Sequence, residues 1–382
     1  MQSRPRLDGI DFLRGLVMAI MVLDHARDFF GGSGMNPRDV HDMSLFLTRW
    51  VTHFCASIFV FLAGVSAFLY GNRGRSRDEV TRYLLSRGLW LILIEFTLVR
   101  FAWTFNVGYD FVIMQVIWVI GCAMVVLAGL VNLPRWAIAT FALTMILGHN
   151  LLDGIEVTGT WHWLWAMTHA PESLYLAPDT EVMALYPMIP WVAVMAAGYA
   201  LAPVFLQPEE QRRRTLLVLG SSVSIGFIVL RATNLYGDPT PWGPQEGFLP
   251  TVLSFINCEK YPPSLLYLAM TIGPGLILLA LLQSANGALA RVIVAIGRVP
   301  FLFYVAHIVL LHLMAVAVAH VTIGETDWLF RHMPAFNKPE GYGLTLPGVY
   351  ALWAVALALL YPMCRWFGAI KQRRKDWWLS YL

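Results

Sequence analysis

Residues 10–30 read IDFLRGLVMAIMVLDHARDFF, an apolar run long enough to cross a bilayer that nevertheless carries Asp11, Arg14, Asp24, His25, Arg27 and Asp28. At about 1.5 Å per residue it reaches roughly 30 Å, the thickness of a hydrocarbon core. A charge inside a membrane span costs roughly 2.5–3.5 kcal/mol on insertion scales unless it is paired or faces a hydrated cavity. Arg14 and His25 stand eleven residues apart, close to three helical turns, so both fall on nearly the same face, about 16 Å apart along the axis. A helix serving only as an anchor has no use for a cation and an imidazole on one line. The stretch therefore reads as part of a functional interior.

The rest of the composition agrees. Of 382 residues, 58% are hydrophobic and 13% charged, against about half and a quarter in soluble domains. Fifteen Trp suit interfacial belts. The four Cys (Cys55, Cys122, Cys258, Cys364) have no C-x-x-C or metal spacing and read as small buried hydrophobes. No basic interleaved tract points to nucleic acid, and no cleavable leader is expected, because charges interrupt the first span.

The expected fold is all-α: a polytopic membrane helix bundle of about ten transmembrane helices, forming a single integral-membrane domain over 1–382. The candidate spans are 10–30, 48–70, 83–105, 108–131, 135–150, 184–206, 215–235, 263–282, 299–320 and 344–367, with 135–150 short enough to be re-entrant or tilted. Arg4 and Arg6, Arg73 to Arg82, Arg135, Arg212 to Arg214, Arg291 and Arg298, and Lys371 to Lys375 then fall on one side. The segment 151–183 has no Lys or Arg but carries Asp153, Glu156, Glu172, Asp179 and Glu181. The positive-inside rule puts both termini in the cytoplasm. Three long outer segments, 31–47, 151–183 and 236–262, are placed to roof a cavity.

Several polar residues lie at membrane depth or at its edge. Asp11 is the intrahelical partner available to Arg14. His25 titrates near neutrality, with Asp24 placed to orient its ring. His53, one turn into span two, and His41 in the preceding loop are expected to converge on His25 near the outer mouth. No H-x-x-x-H pattern accompanies them, so no metal is expected. Glu95, deep in span three, needs a partner, and Arg14 or Arg100 is the expected one; Gln115 and His307 extend the candidate substrate or proton network. In span nine Tyr304 and His307 share a face. Lys260 and Tyr261 precede the double proline that opens span eight, where free N–H groups attract anions. The alternative readings are structural: a charge network locking helix packing for Asp11, Arg14 and His25, an ion pair for Glu95, packing with satisfied hydrogen bonds for Tyr304 and His307, a surface loop residue for His41 and an ordinary snorkelling lysine for Lys260.

These residues also carry a resemblance. RLDGIDFLRGLVMAIMVLDHARDFF (6–30) resembles the opening helix of the transmembrane acyltransferases, in which an Arg-x10-His pair marks enzymes that O-acylate surface sugars. THFCASIFVFLAGVSAFL (52–69), NCEKYPPSLLYLAMTIGPG (257–275), GRVPFLFYVAHIVLLH (297–312) and RWFGAIKQRRKDWWLSYL (365–382) look like a bacterial branch related to heparan-alpha-glucosaminide N-acetyltransferase. The resemblance implies transfer of an acyl group, usually acetyl from acetyl-CoA, to an amine or hydroxyl of a sugar or glycoconjugate, in a bacterial inner membrane. It implies His25, then His53 and His41, as catalytic histidines. Arg14 with Asp11, and Lys260 with Tyr261, become candidates for holding acyl-CoA. Membrane lipids, and a second copy of the chain as a homodimer, complete the expected partners. The rival reading is a proton-coupled transporter or channel using Glu95 and the histidines.

Overall fold

The computed structural model describes residues 8–178, 180–374 and 376–380. Arg4, Arg6, Asp179 and Lys375, used above in the charge pattern, lie outside them. In chain order the elements are α1 (Asp8–Phe30), α2 (Met43–Thr52), α3 (Phe54–Gly71), α4 (Arg77–Ile94), a π-helical stretch (Glu95–Val99), α5 (Arg100–Thr104) and β1 (Phe111–Met114). Next come α6 (Val116–Leu130), α7 (Arg135–Gly148), α8 (His162–Thr168), β2 (Glu172–Ala177), β3 (Thr180–Ala184) and α9 (Met188–Leu201). The chain ends with α10 (Glu209–Thr233), α11 (Phe248–Ile256), α12 (Leu265–Leu281), α13 (Ala288–Gly297), α14 (Pro300–Thr322) and α15 (Leu346–Arg373).

The described residues are mostly helical, with few strands. Five helical stretches among the described residues are long and apolar enough to cross a membrane: 43–71, 188–206, 209–233, 300–322 and 346–373. The all-α expectation needs one correction. A small sheet of order β1-β3-β2 forms, with β1 parallel and β2 antiparallel to β3. The segment 151–183, expected as loop, supplies β2 and part of β3. The reason is local. Val112, Leu174 and Val182 are apolar and bury in the sheet, and strand pairing satisfies backbone groups that a buried loop would leave open.

The residues divide into two compact units. The first comprises Met1–Cys55, Phe101–Asn106 and Ile277–Leu382. Leu13, Met18, Val22, Phe29, Phe30, Phe303, Ile308 and Leu311 are buried in it. Here α1 crosses α13 at van der Waals contact of the two backbones: a Cβ on Gly15 would collide with the Ile293 carbonyl, and one on Gly297 with the Asp11 carbonyl. Small residues at such a crossing allow close packing where lipid offers no hydrophobic driving force. Further bonds seat α1 against its neighbours, Cys55 Sγ on the Val17 carbonyl (3.1 Å) and Trp353 Nε1 on the Ala19 carbonyl (2.8 Å). Asp42 caps α2 by accepting from the Leu45 N–H at 3.0 Å.

The end of α1 is closed by the segment between α14 and α15. The Lys338 ammonium donates to the carbonyls of Gly31 (2.7 Å) and Arg27 (3.2 Å). Tyr342 Oη donates to the Phe29 carbonyl (2.9 Å), and the Leu344 N–H to the Phe30 carbonyl (2.7 Å). A helix C-terminus leaves four carbonyls without intrahelical donors, and this strap supplies partners and a positive charge where the dipole favours one.

The second unit comprises Ala56–Arg100 and Val107–Leu276. Leu62, Leu84, Trp191 and Tyr267 are fully or nearly fully buried in it. Ser76 and Glu79 form a capping box at the start of α4, and α4 crosses α6 closely, a Cβ on Gly88 lying 2.7 Å from the Gly121 carbonyl.

Candidate active site

In the first unit α1 and α14 meet at an imidazole pair. His25 on α1 and His307 on α14 are 2.7 Å apart, Nδ1 to Nε2. His307 Nδ1 lies 2.9 Å from the Phe303 carbonyl one turn back. A carbonyl only accepts, so His307 Nδ1 carries the hydrogen and its Nε2 the lone pair. His25 Nδ1–H is then the donor, and the lone pair of neutral His25 sits on Nε2. One histidine thus fixes the tautomer of the other, the role a carboxylate plays beside many catalytic imidazoles. His307 is fully buried, while His25 keeps part of its surface exposed.

Aromatic rings frame the pair. Trp103 on α5 meets His25 edge-on, centroids 4.8 Å apart, and stacks parallel to Phe29 at 5.3 Å. Tyr304 lies 6.4 Å from His25 and 5.5 Å from His307. His312 stacks on Phe105 at 3.8 Å, and its Nδ1 donates to the Ala102 carbonyl at 3.1 Å.

The histidine shown against His25 is His307 of α14, a partner that the expected convergence of His25, His41 and His53 did not include. His41 is on an exposed loop, its backbone N–H donating to Asp39. His53 is buried at the end of α2, its backbone N–H bonded to the Arg49 and Trp50 carbonyls. The physical reason is periodicity. His307 lies one turn after Phe303 on the buried face of α14, a face that no local spacing relates to α1. Asp24 has further partners. It accepts from Thr52 Oγ1 (2.8 Å) and pairs with Arg27 (2.7 Å), which also reaches Asp28 at 3.1 Å; the bond to His25 Nδ1 is made by His307.

Asp11 and Arg14 form the intrahelical pair expected of their spacing, at 3.2 Å. Arg14 also donates to the Gly297 carbonyl at 3.4 Å, and the Arg298 guanidinium stands 3.9 Å from the other Asp11 oxygen. One carboxylate therefore faces two cations at the α1–α13 crossing, an arrangement with net positive charge.

The remaining candidates belong to the second unit. Glu95 is corrected from an ion-pair member to a helix cap: its Oε2 accepts from the Trp118 N–H at 2.8 Å, in the first turn of α6. Gln115 is the N-cap residue there but makes no side-chain cap bond. The partial positive charge of a helix N-terminus is the reason a buried carboxylate settles there. Arg100 turns instead to the Phe111 carbonyl (2.9 Å), the Gly108 carbonyl and Asp110 (3.4 Å). Lys260 is buried with its ammonium 5.0 Å over the Tyr261 ring, and Tyr261 Oη is 3.4 Å from Tyr186 Oη. In the segment after α7, Asp153 accepts from Asn150 (2.7 Å) and faces His169 at 3.2 Å. Burial pushes its carboxyl up, but the His169 and Asn150 hydrogen bonds win and hold it below the ordinary value.

Trp103 and Lys338 escaped the sequence reading. An indole in an apolar span has no signature apart from packing. Lys338 carried one: a lysine expected on the side that the charge asymmetry leaves poor in cations. Burial lowers its ammonium to about 8, opposed by Asp28 and assisted by Arg27.

Comparison with known proteins supplies the family. No curated protein matches the chain. The family model described as heparan-alpha-glucosaminide N-acetyltransferase, catalytic, matches residues 6–230, which takes in His25 and Trp103 but not His307. More than half the chain is covered, so this protein belongs to the heparan-alpha-glucosaminide N-acetyltransferase catalytic family.

Proposed function

We propose that this protein is a membrane-embedded acyltransferase that moves an acetyl group from cytoplasmic acetyl-CoA to an amine or hydroxyl of a sugar-like acceptor on the outer side of a bacterial inner membrane. The observation that carries the reading is the His25–His307 pair, within a chain of an acetyltransferase family. With Nδ1 donating to His307, the His25 Nε2 lone pair takes the proton of the attacking acceptor as its nitrogen or oxygen bonds to the acyl carbon. The same nitrogen then returns that proton to the departing CoA sulfur. Such proton transfer contributes typically about 10²–10⁴-fold.

The donor is read as approaching from the arginine-rich side, where cationic loops attract its phosphates. The Asp11–Arg14–Arg298 group, carrying excess positive charge, is placed to meet an anionic portion of the donor. Expected single-sidedness of the termini supports this direction.

Purified protein incubated with labelled acetyl-CoA and candidate amino sugars tests the reading. Acetylated product and stoichiometric CoA thiol are expected, and His25→Ala should abolish both while the folded yield stays unchanged. Normal turnover by that variant removes His25 from the chemistry. Flux driven by a pH gradient in proteoliposomes, with no CoA release, replaces the enzyme reading with a transporter.

A further inference from the structure

A base beside the acceptor accounts for the proton but not for the charge that develops on the acyl oxygen. When the acceptor nitrogen or oxygen bonds to the thioester carbon, the carbonyl π electrons move onto its oxygen. That oxyanion persists until the carbon–sulfur bond breaks and the pair leaves on sulfur. A preorganised donor aimed at this oxygen is often the largest single catalytic contribution in acyl transfer.

We propose that the indole Nε1–H of Trp103 is that donor, so that Trp103 is a catalytic residue, an inference that rests on the acetyltransferase reading above. Trp103 is 1% exposed, and its Nε1–H has no acceptor among the described residues. A buried donor left without a partner costs about 1–3 kcal/mol, and folded proteins keep few of them. This one lies on a ring in contact with the proposed base, 4.8 Å between centroids. The ring is also fixed by Phe29, stacked on it within 4° of parallel from the next turn of α1. The base and the donor are thereby held by the same helix, and neither has to reorganise as charge develops.

The neighbouring imidazoles do not compete for the role. His307 spends Nδ1–H on Phe303 and Nε2 on His25. His312 gives its Nδ1–H to Ala102, which leaves a lone pair on Nε2; that buried nitrogen has no partner among the described residues. A lone pair repels an oxyanion, whereas an N–H stabilises one. Among these rings, the indole has the right sign.

The test removes the N–H and keeps the shape. Trp103 is replaced by 3-benzothienylalanine, whose ring carries sulfur in place of N–H, and in parallel Trp103→Phe is made. Acetyl transfer from acetyl-CoA is followed by CoA thiol release, with the thermal midpoint in detergent as the folding control. Expected is a kcat lower by about 10²–10³-fold, with KM for acetyl-CoA and the midpoint unchanged in the benzothienyl protein. Transfer that His25→Ala abolishes but the benzothienyl protein sustains at the normal kcat overturns the role of Trp103 and leaves the acetyltransferase reading standing. Wild-type protein that releases no CoA with any acceptor overturns both.

Discussion

At the residue scale the instructive group is His307. It touches no proposed substrate atom, yet it decides which nitrogen of His25 bears the lone pair. Removing the acceptor at 2.7 Å lets the His25 ring adopt either tautomer and rotate. For His307→Gln, whose amide oxygen is not held at the same point, kcat is expected to fall by about 10²-fold. KM for acetyl-CoA should change little. A merely structural His307 would instead lower the amount of folded protein and leave the pH–rate profile of the remainder unchanged. The profile is therefore the deciding measurement, and an acid limb identical to wild type sinks the positioning role.

At the element scale the behaviour of α1 is governed from both ends. Near its start the Gly15–Gly297 crossing sets its position, because any side chain there meets backbone. At its end the Lys338 strap closes it. Burial holds the Lys338 ammonium at about 8, below the ordinary 10.5. The unfolded chain keeps that proton up to its higher pKa, the folded chain only to the lower one. Between the two the unfolded state binds more protons, so stability rises with pH. Thermal midpoints of wild type and Lys338→Met, compared from pH 7 to about 10.5, should diverge in favour of wild type as the ammonium is lost. Parallel curves would show that Lys338 ionises alike in both states.

At the scale of the whole molecule the charge asymmetry makes a topological prediction. The segment 151–183, without a Lys or Arg, is expected outside, and the Lys371–Arg374 end inside. Reporter fusions that are active only in the cytoplasm should be active at the C-terminus and silent when inserted near Gly154, an exposed position. The opposite pattern inverts the proposed direction of transfer while leaving the His25 chemistry untouched.

Sequence alone determined the helical class, several membrane-length helices and the family, because hydropathy, charge and a long matched stretch are local properties. It also placed the Asp11–Arg14 pair, which depends only on helical spacing. What tertiary structure decided were the partners. Glu95 was legible as a buried carboxylate in need of compensation, but the compensation is a backbone N–H of α6, which no side-chain pattern announces. His25 was legible as an imidazole set in an apolar span, whereas His307 and Trp103 reach it from sequence separations of 282 and 78 residues. Contacts across such distances are fixed by how helices pack, and the periodicity of one helix carries no information about which neighbour it faces.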